Sequence, residues 1–254
     1  MLRGLYTAAS SMRTARKNLD IVSNNLANVN SSSYKRDEGI NQSFPEMLMS
    51  KMEKGKNNKT LGGMGTGVRL DESYTDFSNG SFRYTGNDLD AAIRGDGFFI
   101  VETPEGSMYT RDGNFTINRE NEIVTQSGYN VLNSDLEPIE LENGEIGIDG
   151  NGQIYQNNTI IDELAVVDFN DQNLLNKVGE NLYNIPADIE ENEIIFSPEN
   201  YQISQGYIEE SNVNIVEEMT KMIEVNRLYE ANQKSITTMD NTLQQAANQV
   251  GRLR

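Results

Sequence analysis

The 254-residue chain contains no cysteine, no histidine and no tryptophan. Without cysteine, disulfides and thiol catalysis are excluded. Without histidine, the commonest general base and metal ligand is missing. No run of about 18 apolar residues occurs, so no membrane-spanning helix is expected. A secretory signal is not expected either, because Arg3 is followed by a helical pattern broken by Arg13, Arg16 and Lys17 rather than by a continuous apolar core. Export, if it happens, would take another route. Aromatic residues make up 7% and hydrophobic residues 36% of the chain, which predicts an elongated or multi-part molecule rather than a compact enzyme.

The net charge of −18 is unevenly placed: +5 over residues 1–60, −23 over residues 61–210 and 0 over residues 211–254. The acidic middle is suited to facing solvent and argues against binding nucleic acid. The neutral C-terminal stretch can pack densely against copies of itself.

At the N-terminus, Leu5, Ala8, Met12, Ala15, Leu19, Val22, Leu26 and Val29 recur at spacings of three and four, the signature of an amphipathic helix seam. At the C-terminus, Ile215, Met219, Met222, Asn226, Tyr229, Gln233, Ile236, Asp240, Leu243, Ala247 and Val250 form a second seam, widened by Val216, Ile223, Leu228, Met239 and Ala246. A helix of roughly 38 residues would be about 57 Å long, and its apolar face is broader than one partner helix covers. Each seam, taken alone, is also what a helix packed on its own domain shows. The basic residues of the first would equally permit a membrane-surface helix. Together the two ends predict an α+β protein whose long N- and C-terminal helices pair as a coiled-coil-like bundle around a central all-β domain. The expected boundaries are 1–30 and 211–254 for the helical assembly domain, 31–67 for a polar connector and 68–210 for the acidic β domain.

The first helix should stop in Asn28-Val29-Asn30-Ser31-Ser32-Ser33, whose side chains compete for backbone hydrogen bonds. In the connector, Phe44 to Met52 reads as a short helix. Gly62-Gly63-Met64-Gly65-Thr66-Gly67 reads as a hinge rather than a phosphate loop, since no Lys-Ser/Thr pair follows and Val68-Arg69-Leu70 looks like a strand. Beyond it, Gly97–Val101, Phe115–Ile117, Glu122–Val124, Ile146–Ile148 and Leu164–Val167 read as strands. Asp96-Gly97, Asp112-Gly113, Glu142-Asn143-Gly144 and Asp149-Gly150-Asn151-Gly152 supply turns between them. Phe98, Phe99, Tyr109, Phe115, Phe169 and Tyr183 are the bulky core candidates.

Three sets of residues carry a family resemblance. Ser23-Asn24-Asn25-Leu26-Ala27-Asn28-Val29-Asn30, followed by Tyr34-Lys35, resembles the N-terminal signature of bacterial flagellar rod and hook proteins. Leu89–Ile93, Gly95–Phe99 and Tyr109–Phe115 resemble the central β domain of the rod proteins. Gln205–Glu209, Ser211–Asn214 and Arg227–Glu230 resemble the C-terminal signature. In that family a glycine usually precedes the aromatic where this chain has Ser33. The resemblance implies a structural, non-enzymatic subunit of the flagellar basal-body rod, exported unfolded through the type III apparatus without a cleaved signal. Its terminal helices would line a tubular assembly, with self, other rod and hook proteins and the export apparatus as partners, and with neither nucleic acid nor membrane insertion. A hook or hook-cap relative stays open, as does a monomeric binding domain whose helices pair only with each other.

The assembly interface is expected at Leu5, Met12, Leu19, Val22, Asn25, Leu26, Asn28, Val29, Ile215, Met219, Met222, Asn226, Tyr229, Ile236, Leu243 and Val250. The three asparagines would fix register or simply be satisfied amides. No catalytic, metal or cofactor site is expected. Asp149 opens like a calcium loop, but Ile154 and Ile160 stand where a glycine and an acid are required. Asp96 and Asp112, the one carboxylate pair that invites a glycosidase reading, each sit in an Asp-Gly turn signal. Arg94 and Arg111 read as structural ion-pair partners.

Overall fold

The computed structural model describes residues 2–45, 47–51, 59–142, 144–157, 159–186, 194–196 and 200–251. Two compact units emerge. One comprises residues 1–27, 37–74 and 214–254, and the other residues 28–36 and 75–213. The chain therefore passes between them four times.

The first unit is built on helix α1 (Leu2–Ala27) and helix α2 (Ile215–Gly251), which pack against each other. α1 stops where the Asn/Ser-rich run begins, with the N–H of Ser31 donating to the Asn28 carbonyl. α2 starts at an N-cap: the Asn214 side chain accepts the N–H groups of Val216 and Glu217, at 3.0 and 3.4 Å. Glu217 and Glu218 place negative charge in the first turn, where the helix dipole favours it. Four strands complete the unit: β1 (Asp37–Ser43) pairs with β4 (Val68–Thr75), and β2 (Met47–Lys51) pairs antiparallel with β3 (Lys59–Met64). Here the structure departs from expectation. Within the Phe44–Met52 segment, Met47–Lys51 is strand rather than helix, and Gly62 and Gly63 lie within β3.

The second unit is all-β. Among the described residues its largest sheet has nine strands, with Phe98–Thr103 near the middle. Phe99 and Val101 point into one core with Phe115, Val131, Ile139 and Leu164, and Phe98 and Ile100 into another with Val167, Phe169 and Tyr183. A strand buried on both faces has no polar face to alternate with, which explains the uninterrupted Phe98-Phe99-Ile100-Val101 run. Of the six bulky candidates, Phe98, Phe99, Phe115, Phe169 and Tyr183 are buried and Tyr109 packs against the second core. Asp149 closes the hairpin between Ile146–Ile148 and Gln153–Gln156, its carboxylate accepting the N–H groups of Asn151 and Gln153. The turn expected at Asn143 falls on a residue outside those described.

Candidate functional site

α1 packs against α2, and the residues of its predicted seam are buried to different degrees. Ala8, Ala15 and Val22 are buried, and Leu5, Met12, Leu19 and Leu26 are half-buried. The helices approach closely near their far ends, where a side chain at Gly4 would come within 2.8 Å of Met239 Cε. Midway, Asn232 donates to the Ser11 hydroxyl at 2.9 Å.

α2 is more complicated. Apart from Lys221, its least exposed positions are Glu218, Met222, Val225, Tyr229, Asn232, Ile236, Met239 and Leu243, which alternate at spacings of four and three. The expected seam shares Met222, Tyr229, Ile236 and Leu243 with this face. Its other members lie elsewhere: Ile215 and Met219 are 46% and 51% exposed and Asn226 is exposed. With Val216 at 74% and Ile223 at 51%, Ile215 and Met219 form a second, uncovered apolar stripe along about the first 12 Å of α2. The Val250 side chain is not among those described.

Where the two helices and β1 meet, Asn25 is buried and held within its own chain. It donates to the Asp37 carbonyl at 2.9 Å and to Glu218 Oε2 at 3.2 Å, and its own side-chain oxygen accepts the Asp37 N–H at 3.0 Å. Glu218 in turn meets Lys221, which also reaches Glu217 and Glu38. Burial opposes the Lys221 charge, but hydrogen bonds to Glu217 and Glu218 outweigh it and hold its pKa above the usual lysine value. Asn28 and Val29 are half-buried in the turn after α1.

The second unit carries a polar knot that pattern reading did not find. Lys35 Nζ lies 2.7 Å from Glu209 Oε1, with both side chains 1% exposed, and donates to the Ser78 carbonyl at 3.0 Å. Burial lowers the Lys35 pKa, with Glu209 opposing the shift. Glu209 Oε1 also accepts the Gly80 N–H at 2.8 Å. Arg111, enclosed beside them, donates to the Gly95 carbonyl at 2.8 Å and stacks 5.0 Å from the Phe98 ring centre. Its Nε, like Glu209 Oε2, has no hydrogen-bond partner among the described residues. Ser33 adopts a left-handed backbone, φ 54°, and its hydroxyl donates to the Arg111 carbonyl at 2.8 Å. Asn212 accepts the Arg36 N–H and donates to the carbonyls of Asp76 and Ser78. The Tyr34-Lys35 and Glu209–Asn212 motifs, far apart in sequence, are thus two halves of one cluster. What pattern could offer was only their rarity as specific polar runs; the pairing is non-local.

Asp112 occupies a turn, its carboxylate accepting the Asn114 N–H at 3.2 Å. Burial, with Asp90 nearby adding to it, raises its pKa from 3.8 to about 6 against the opposing Asn114 hydrogen bond. Among the described residues no group of three or more Asp or Glu could hold a metal ion.

These features coincide with family models at three places: "Flagella basal body rod protein" over residues 5–35, "Flagellar hook protein FlgE/F/G D1 domain" over 92–158 and "Flagellar basal body rod FlgEFG protein C-terminal" over 204–250. Full-length relatives agree. The flagellar basal-body rod protein FlgF of Caulobacter vibrioides is 36% identical, covering 100% of this chain and 98% of its own. The flagellar hook-basal body complex protein FlhO of Bacillus subtilis is 32% identical over 100% of both. The flagellar basal-body rod protein FlgG of Buchnera aphidicola (subsp. Schizaphis graminum) is 34% identical over 96% of this chain and 98% of its own. With the signatures at both ends joined in one buried cluster and relatives aligned along nearly the whole length, the chain belongs to the flagellar basal-body rod protein family.

Proposed function

We propose that the chain is a structural subunit of the flagellar basal-body rod, which polymerises through its terminal helices into a tubular axial segment that transmits torque to the hook. Its location would be the basal body, reached through the flagellar export apparatus, with other rod and hook proteins as neighbours above and below.

The observation that carries the reading is the uncovered stripe of Ile215, Val216, Met219 and Ile223 beside an already occupied inner seam. A helix pair that served only its own chain would need one apolar face on α2. A second face is what a subunit needs when identical neighbours pack around it, and repetition of one head-to-tail contact builds a filament. The interface thus divides into two layers. Leu5, Met12, Leu19, Val22, Leu26, Met222, Tyr229, Ile236 and Leu243 join the helices of one subunit, and Ile215, Met219 and Asn226 face the next. Asn25 sets the local geometry between α1, β1 and α2.

Deletion of the gene followed by electron microscopy of basal bodies tests the assignment. A rod that stops short is expected, and a complete rod carrying a hook would refute it.

A further inference from the structure

On α1, Tyr6, Arg13 and Lys17 fall about half a turn away from the α2 seam. With Phe44, Val68 and Arg69 they line an open groove of about 540 Å³, and all six belong to the helical unit. Its chemistry is specific. Tyr6 is 71% exposed and Phe44 is exposed, giving an apolar floor. Arg69 is engaged by Asp71 at 2.7 Å and by Gln42 at 2.9 Å. The Arg13 and Lys17 side chains, by contrast, make no ion pair or hydrogen bond among the described residues. α1 as a whole carries four basic residues against one acidic.

The charge balance of the two units indicates what this groove receives. Residues 28–36 and 75–213 hold seven basic and 27 acidic residues, a net −20, whereas the helical unit holds 14 and 12, a net +2. In an assembly of identical copies, strongly acidic units brought side by side repel one another. Cations of the helical unit that have no ion-pair partner among the described residues are available as counter-charge. We propose that the groove is a docking site for the acidic β unit of a second copy, whose carboxylates meet Arg13 and Lys17 while Tyr6 and Phe44 supply apolar contact. The proposal rests on the self-assembly reading above and adds to it an electrostatic contact separate from the apolar stripe of α2. Such contacts set register and encounter rate more than affinity, and salt screens them over about 10 Å at 0.1 M.

Carbodiimide cross-linking, which joins an amine directly to a touching carboxylate, tests this on the full chain in an equal mixture of isotope-labelled and unlabelled protein. The expected product links Lys17 to an Asp or Glu of residues 75–213 in peptides of mixed isotope, and it fades as salt rises. The Arg13→Glu/Lys17→Glu variant should weaken association about tenfold at low salt, and Arg227→Glu/Lys234→Glu, an equal charge change on α2, by much less. Links confined to one copy, or Lys17 joined only to acids of the helical unit, overturn the proposal. So does equal association of the two charge variants. Binding to phosphatidylglycerol vesicles that the groove variant loses, with no link between copies, would assign the groove to a membrane surface instead. Ile223→Asp separates the two readings. If it leaves association intact while the Lys17 links persist, the stripe fails and the groove stands. If it abolishes association while the groove variant behaves as wild type, the reverse holds.

Discussion

Lys35 and Glu209 are enclosed charges whose value lies in being together. Removing one partner leaves the other buried without compensation, which costs about 3–5 kcal/mol. Lys35→Met should therefore lower the denaturant midpoint sharply, and Lys35→Met/Glu209→Gln should recover much of the loss, since a neutral amide still accepts the Gly80 N–H. Ser33 makes a different demand. Its φ of 54° is tolerable for serine but strained for a β-branched side chain, so Ser33→Val should cost about 1–3 kcal/mol, whereas Ser33→Gly trades relief of that strain against the lost hydroxyl bond to Arg111. The sequence displayed this position as a departure from a family glycine. Ser33 itself takes the left-handed backbone that a glycine adopts without strain. Asp112 predicts a pH effect of opposite sign to that of an ordinary paired carboxylate. Its folded pKa of about 6 lies above the ordinary carboxyl value of 3.8, so its ionisation opposes folding. Its contribution is most favourable below 3.8 and declines as pH rises toward 6. In Asp112→Asn this decline should vanish from stability-against-pH curves, with the turn preserved because the amide oxygen still accepts from Asn114.

Among the elements, α1 was legible as a helix from its regular spacing, but buried Thr14, which donates to the Val68 carbonyl, lies off the expected seam and carries no apolar signal. α2 was half legible, for a physical reason. A helix with an inner seam and an outer stripe has apolar residues on two faces, and a single four-three path drawn through both crosses from one to the other. Hence the expected path runs through Met219 and Asn226 where the covered face holds Glu218 and Val225; a buried glutamate is invisible to a hydrophobic pattern, and missing it shifts the path by one residue. The β2–β3 pair was misread because its pairing is between segments and local propensity in Phe44–Met52 does not report it. The distinction on α2 can be measured. Met222→Asp places a charge in the intramolecular seam and should unfold the helical unit of the isolated subunit, costing several kcal/mol. Ile223→Asp should change subunit stability by no more than about 0.5 kcal/mol yet block polymer formation. Thermal melts paired with sedimentation distinguish the two, and equal destabilisation by both would remove the second face. Ala15→Leu, at a position 1% exposed on the α1 seam, should cost about 1–3 kcal/mol through overpacking.

For the molecule as a whole, the two units were foreshadowed by the charge split, but their membership was not. Residues 37–67 of the expected connector and 68–74 of the expected β domain fall in the helical unit, and residues 28–36 fall in the β unit. The polar knot explains the second assignment. Ser33, Lys35 and Arg36 come from the segment between the first and second passages of the chain, Asp76 and Ser78 follow the third, and Glu209 and Asn212 precede the fourth. All four passages are gathered into one hydrogen-bonded cluster before they reach the β core. In terms of chain entropy the knot is a non-covalent clasp: the Lys35–Glu209 contact joins residues 174 apart in sequence, closing the long loop between the first and last segments of the β unit.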